Sequence, residues 1–153
     1  MKRFLKILIW FVAVSGALRA IGALVGRRFE QGATAADGDE VRLAAIWGGR
    51  DFHSTAAALR SLHAKAMLGG INLDLSSASL HPEGAELRIE VMAGGVNLEV
   101  PAAWRVEVTE QLTAGDVAVS VADPTDLASD APLLAVIVSG TAGGVNIEAS
   151  KSS

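Results

Sequence analysis

With 153 residues, half of them hydrophobic and 20% charged, the chain has room for one folded domain and an appendage, and it is too apolar to be disordered. Its net charge of −4 argues against a nucleic-acid-binding protein, which would need a basic face. The absence of cysteine excludes disulfides, thiolate metal sites and cysteine nucleophiles.

The first 28 residues have the pattern of a membrane-spanning segment. Basic side chains flank an apolar run at residues 7–26, with Lys2, Arg3 and Lys6 before it and Arg27 and Arg28 after it. Twenty helical residues span about 30 Å, the thickness of a bilayer core. The pattern predicts one N-terminal transmembrane helix within residues 1–28, which contacts membrane lipid through residues 7–26. A cleaved signal peptide, with small residues at Ser15 and Ala17, is the alternative.

The larger number of basic residues before the apolar run favours a single-pass protein of the cell membrane whose remaining chain is extracytoplasmic. Residues 29–40 are predicted to be a polar linker, because nothing larger than alanine is apolar from Gln31 to Glu40. Residues 41–150 are predicted to form the folded domain, and residues 151–153 a short tail.

A repeat occurs five times within the folded domain. Each copy has an apolar approach, a glycine pair, and then alternating apolar and polar residues. The pairs are Gly48-Gly49, Gly69-Gly70, Gly94-Gly95, Gly115-Asp116 and Gly143-Gly144, so the copies lie 21 to 28 residues apart. This spacing is typical of a repeat architecture.

The apolar phase changes at every glycine pair. In the third copy, Leu87, Ile89 and Val91 are apolar before the glycines, and Val96 and Leu98 are apolar after them. Successive residues of a strand point to opposite faces, so an uninterrupted strand could not bury both sets. We therefore predict an all-β domain, a solenoid-like stack of about five strand–Gly-Gly corner–strand repeats.

Finer expectations follow from the same pattern. Asp116 replaces the second glycine of the fourth pair, and aspartate tolerates the left-handed region, so the second position is expected to require a positive φ.

Trp47 and Leu68 continue the apolar phase of their copies and are expected to point inward. Residues 54–68 are rich in alanine, but their alternation favours a strand over a helix. Trp104 is expected to cover an end or a seam of the core.

Polar residues follow three of the glycine pairs. They are Asn72 and Asp74, Asn97 and Glu99, and Asn146 and Glu148. In a stack these side chains face outward, where an asparagine ladder, an acidic groove, a cation site or carboxylate pairs for glycoside cleavage are all conceivable. The fourth copy has Ala118 and Ser120 instead, which is expected to break these rows between the third and fifth copies. We interpret the residues as a solvated outer face.

The remaining polar residues show no catalytic or metal-binding pattern. His53, His63 and His81 lie in three different settings without metal-ligand spacing. Asp123, Asp126 and Asp130 flank Pro124 in an acidic loop, which we interpret as a turn rather than a calcium site. The sequence therefore assigns no catalytic residue, no metal site and no cofactor, and it predicts a protein that is not an enzyme.

The third repeat and its sequel resemble a known family. Gly94-Gly95-Val96-Asn97-Leu98-Glu99-Val100-Pro101, followed by Trp104-Arg105-Val106, is similar to the LiaF-like C-terminal domain family, the cell-wall-active antibiotic response proteins. The resemblance covers about residues 45–150 and implies a toastrack-type β repeat in a membrane-linked regulator of bacterial envelope stress. It implies a non-enzymatic interaction or sensory domain with a protein partner or self-association. A structural, self-assembling envelope protein is the alternative, and a carbohydrate-active β-helix enzyme is a third.

Overall fold

The computed structural model describes residues 35–151, and these form five β strands in one sheet. The strands are β1 (Glu40–His53), β2 (Ser61–Asp74), β3 (Ala85–Val100), β4 (Arg105–Ser120) and β5 (Leu133–Ala149). The described chain contains no helix, so the all-β prediction is confirmed. The predicted anchor at residues 1–28 lies outside the described residues. Within residues 35–151, no helix is long and apolar enough to cross a membrane.

All neighbouring strands are parallel, in the order β1-β2-β3-β5-β4. The sequence interpretation assumed that the repeats stack in chain order, and this was wrong for the last two, because β5 lies between β3 and β4. The reason is visible at Glu110, which occupies a core-facing register position beside the fully buried Val138. A carboxylate in this core-facing row is tolerated only on the outermost strand, where it reaches water.

Each strand changes its buried face at the glycines, as predicted. In β3, Leu87, Ile89 and Val91 are fully buried before the pair, and Val96 and Leu98 are at most 2% exposed after it. Both sets belong to one hydrophobic cluster. Every strand therefore folds over at its glycine corner, so that its two halves enclose a common core.

The positive φ expected at the second position of each glycine pair is not found. No residue other than glycine has a positive φ in the described chain, and Gly95 has none either, so the second position does not require the left-handed region. The first glycine is the constrained one. A Cβ at Gly94 would collide with the carbonyl oxygen of Gly69 in the neighbouring strand, and Gly69 stands in the same relation to Gly48. The stacked corners approach too closely for any side chain.

The segments that connect the strands also stack on one another. The return segment 54–60 lies beside the segment 75–84, and Leu59 pairs with Leu80 in a parallel bridge. The amide of Leu59 donates to the carbonyl of Ser79, 2.8 Å away. Repeated parallel strands joined by stacked returns fit a solenoid-like fold. Trp104, in the short link to β4, is 5% exposed and belongs to the core.

Candidate functional site

The outward side chains of the second half-strands form a row of amides. In register order from β1 to β5 the row contains Asp51, Asn72, Asn97 and Asn146, and Ala118 follows on the edge strand β4. We call the first four residues the asparagine row. The expected break between the third and fifth copies does not occur, because β5 adjoins β3 directly.

Hydrogen bonds link three members of the asparagine row. The Nδ2 of Asn97 donates to the Oδ1 of Asn72 at 2.9 Å, and the Nδ2 of Asn72 donates to the Oδ1 of Asp51 at 2.5 Å. Asn146 instead donates to the Oε1 of Glu148 in its own strand at 3.1 Å. We call the two hydrogen bonds that join Asn97, Asn72 and Asp51 the ladder. Both amides donate toward β1, and the Asp51 carboxylate accepts the last hydrogen bond.

A second outward row carries the acids. It runs through His53, Asp74, Glu99 and Glu148, and it ends at Ser120 on β4. His53 Nδ1 lies 2.8 Å from Asp74 Oδ2, and the backbone amide of Ser76 donates to Asp74 Oδ1 at 2.9 Å. Hydrogen bonds from Ser76, together with His53, hold the pKa of Asp74 below its usual value. Asp74 is therefore an engaged carboxylate, which is poorly suited to act as a proton donor.

A shallow groove of about 450 Å³ runs beside the asparagine row. Its floor is the row of second glycines, including Gly70, Gly95 and Gly144, and Asp116 stands at its β4 end. Because these positions lack side chains, the backbone itself forms the floor. The groove thus offers amide groups along one side and bare backbone beneath them.

Large apolar side chains are exposed just before the glycine pairs in three of the strands. Trp47 is 50% exposed, Leu68 49% and Met92 46%, although all three belong to strands of the core sheet. We call these three residues the corner ridge. Trp47 and Leu68 are register partners on β1 and β2. The expectation that both point inward was wrong, because the strands leave the core after Ala45 and Ala66, before the glycines are reached.

The first half-strands carry a charged cluster that sequence reasoning missed. Arg42, His63 and Arg88 share one register row on the outer face, beside a depression of about 370 Å³ that Glu40 and Glu86 also line. The residues are far apart in the chain, and only the parallel register brings them together. Acids accompany the cations, as with the hydrogen bond from Arg88 Nε to Glu86, so the cluster is mixed in charge.

Glu90 organises the neighbouring row of this face. Its carboxylate lies 2.9 Å from His63 Nε2 and 3.1 Å from Lys65 Nζ. Partial burial acts to raise the pKa of Glu90, but the hydrogen bonds and charges of Lys65 and His63 outweigh it, so the pKa lies below its usual value. The arrangement is an ion-pair network on the sheet surface.

The other predicted candidates remain apart. His81 lies in the turn before β3, where its Nδ1 accepts from the backbone amide of Glu83 at 3.2 Å, so the three histidines occupy three separate settings. Asp123 accepts from the amide and hydroxyl of Thr125 at 2.9 and 2.6 Å, and these bonds lower its pKa. Across residues 35–151, no three His, Cys, Asp or Glu side chains are grouped closely enough to hold a metal ion.

No family model, curated protein or solved structure matches this chain.

Proposed function

We propose that the β domain is a non-enzymatic interaction domain of the bacterial cell envelope, held at the cell membrane by residues 7–26. The observation that carries this proposal is the corner ridge. Trp47, Leu68 and Met92 each leave about half of their surface in water. Large exposed apolar side chains mark sites of protein contact, and Trp and Met are enriched there.

The surroundings of the ridge suit a specific contact. The glycine-floored groove and the asparagine row follow the glycines in the same strands, and they offer backbone and amide groups to a partner. Protein interfaces usually combine apolar and polar surface, in which the apolar part contributes affinity and the polar part selects the partner. We infer that one protein partner covers the ridge and the groove together.

Two sequence features support the cellular setting. The basic residues around the apolar run favour an extracytoplasmic domain on a single-pass anchor. The resemblance to the LiaF-like family around Gly94-Gly95 and Trp104 supports a role in the response to envelope stress. The domain would then signal envelope damage by binding or releasing its partner at the corner ridge.

Photo-crosslinking in native membranes tests this proposal. A photoreactive amino acid replaces Trp47 in one full-length chain and the exposed Thr109 of β4 in a control chain. We expect one heterologous protein to be captured from position 47 but not from 109, and we expect capture from 47 to be lost when Leu68→Asp is added. Equal capture from both positions, or capture unaffected by Leu68→Asp, would refute the ridge as the contact site.

A second candidate function, a self-assembling envelope protein, is favoured by one observation. The core is not covered at the β4 end of the stack, where Val119 is 46% exposed. Solenoids that lack a polar terminal repeat tend to associate through such ends. Sedimentation of the purified chain over a range of concentrations distinguishes limited association from open-ended polymers.

A further inference from the structure

The two ends of the strand stack differ. Among the described strands β4 pairs only with β5, and its core-facing side chains are incompletely covered. Val108, Leu112, Val117 and Val121 are partly buried and Val119 is 46% exposed. Their register neighbours on β5, such as Val136 and Ile147, are fully buried. The hydrophobic core therefore continues to the edge of β4 and stops there.

The β1 end is better covered, although Phe52 is partly buried there as well. Val41 and Leu43 are at most 1% exposed although β1 is also an outer strand. The core-facing position after the β1 glycines is occupied by Arg50, which would bring a charge into any extension of the core. A further strand added beside β1 would meet Arg50 as well as Phe52, whereas one added beside β4 would bury the whole exposed valine edge.

We propose that β4 is a dimerisation edge, which pairs antiparallel with β4 of a second copy of this chain. The twofold axis passes through the glycine corner of β4 and bisects the angle between the two halves of the strand. Rotation about this axis places the first half of one β4 beside the second half of the other. The cores of the two copies then lie on the same face of the joined sheet. The two sheets then join into one sheet, and the two cores become continuous.

The self-association of β4 is favoured because both partners gain. In a β4–β4 pair both copies bury a valine edge, whereas a β4–β1 contact buries one valine edge and brings Arg50 beside it. A twofold contact also closes, while a β4–β1 contact would repeat into a filament. The second copy is therefore the occupant that the exposed edge selects.

The residue pattern of β4 is complementary to itself in this orientation. Core-facing residues carry even numbers before the corner and odd numbers after it, so Val108 of one copy faces Val119 of the other. Val106 faces Val121 in the same register. Each apolar residue before the corner thus meets one from after the corner, and the twofold axis makes the contact closed.

The charges of β4 fit the same register. Glu107 faces Ser120, and Gln111 faces Asp116, so no two carboxylates lie directly opposite one another. Glu110 is the one acid in a core-facing position, and it would lie opposite Val117 of the partner copy. Burying it opposes association. We therefore expect a reversible dimer, which the change Glu110→Gln strengthens.

Cysteine crosslinking tests the pairing directly, because the chain contains no cysteine. Full-length Val108→Cys and Val119→Cys chains with different tags are co-expressed, and their membranes are oxidised with copper phenanthroline. The matched control combines Val108→Cys with Ala118→Cys, whose side chain faces outward. We expect roughly tenfold more disulfide-linked mixed dimer from the first combination, since the Cβ atoms must face each other for a disulfide to form.

Equal yields from the two combinations would overturn the proposal, and so would preferential linkage of Val108→Cys to Val41→Cys, which reports a head-to-tail stack. Light scattering of the detergent-solubilised chain is the second measurement. Val119→Lys should weaken the dimer about tenfold while the β-sheet circular dichroism is retained, and an unchanged dimer would contradict the valine edge. A Trp47→Ala chain should still dimerise, so the dimer and the proposed partner contact can fail independently.

Discussion

The side-chain amide of Asn97 donates a hydrogen bond to the side-chain oxygen of Asn72 at 2.9 Å, although the two residues lie 25 positions apart in the chain. The parallel register makes this contact, because each coil of the stack returns the same repeat position to the same height. Asn72 in turn donates a hydrogen bond to Asp51 on the next strand. The amide of Asn72 is thus both an acceptor and a donor, and the Asn97 amide has no carboxylate beside it in this ladder.

This difference predicts unequal effects of one chemical change. Asn72→Asp removes the donor to Asp51 and places two carboxylates side by side, so it should lower the free energy of unfolding by about 1 kcal/mol. Asn97→Asp, the matched control, should cost less than half of that. Urea midpoints of the detergent-solubilised chains provide the comparison, and equal losses would contradict the predicted repulsion between Asp51 and the new carboxylate.

The two glycines of one corner should differ in their tolerance of alanine. Gly94→Ala forces a methyl group against the Gly69 carbonyl, and we expect a loss of about 1–3 kcal/mol, as for overpacked sites. Gly95→Ala finds its nearest neighbour, the Gly144 carbonyl oxygen, at 3.6 Å, and should change stability by no more than about 0.5 kcal/mol. The difference between their urea midpoints measures the effect. If Gly95→Ala is the more damaging, the close approach of first glycines is not the constraint.

Acid should weaken the fold partly through Glu90. Its folded-state pKa lies below the usual value of 4.5, so its contribution is fully present above that value and is lost as the pH falls through the folded-state pKa. Glu90→Gln should therefore be less stable at neutral pH, by about 0.5 kcal/mol for a partly exposed ion pair, and should converge with the parent in acid. Thermal unfolding between neutral and acidic pH follows this, with Glu107→Gln as the control for net charge. Parallel curves for parent and Glu90→Gln would contradict it.

Core truncations should report the position of each strand in the stack. Ile89→Ala on the central strand β3 removes a fully buried side chain and should cost about 2–5 kcal/mol. Val119→Ala on β4 removes a side chain that is 46% exposed, and we expect less than about 1 kcal/mol in detergent solution below the concentration at which the chain associates. Similar losses at both sites would be inconsistent with β4 as the edge.

Much of the fold was readable from single strands. The alternation of Leu87, Ile89 and Val91, and its change of phase before Val96, depends only on the two-residue period of a strand, and the structure confirms it. The same rule misplaced Trp47 and Leu68, because alternation was extended into the corner, where the chain has already left the core. Local periodicity identifies the half-strands but not the point at which each one ends.

Contacts between strands were harder to predict. The constraint on Gly94 comes from the backbone of β2, and no property of β3 alone contains it. The strand order was hidden for the same reason, since β4 and β5 both carry the repeat. Glu110 was the available signal, because its phase assigns a charge to the core side and therefore to an edge. The outward rows could be named by residue, but their hydrogen bonds depend on which strands are neighbours.

The position of β5 also sets the order in which the molecule can be completed during synthesis. Its residues leave the ribosome after those of β1 to β4, yet they separate β3 from β4 and pair with both. Until residue 149 has emerged, β4 has no strand to bond and β3 has an unpaired edge. The nascent chain must therefore keep a gap between its third and fourth repeats, and a chain truncated after Asp130 loses the neighbours of two strands rather than one terminal coil.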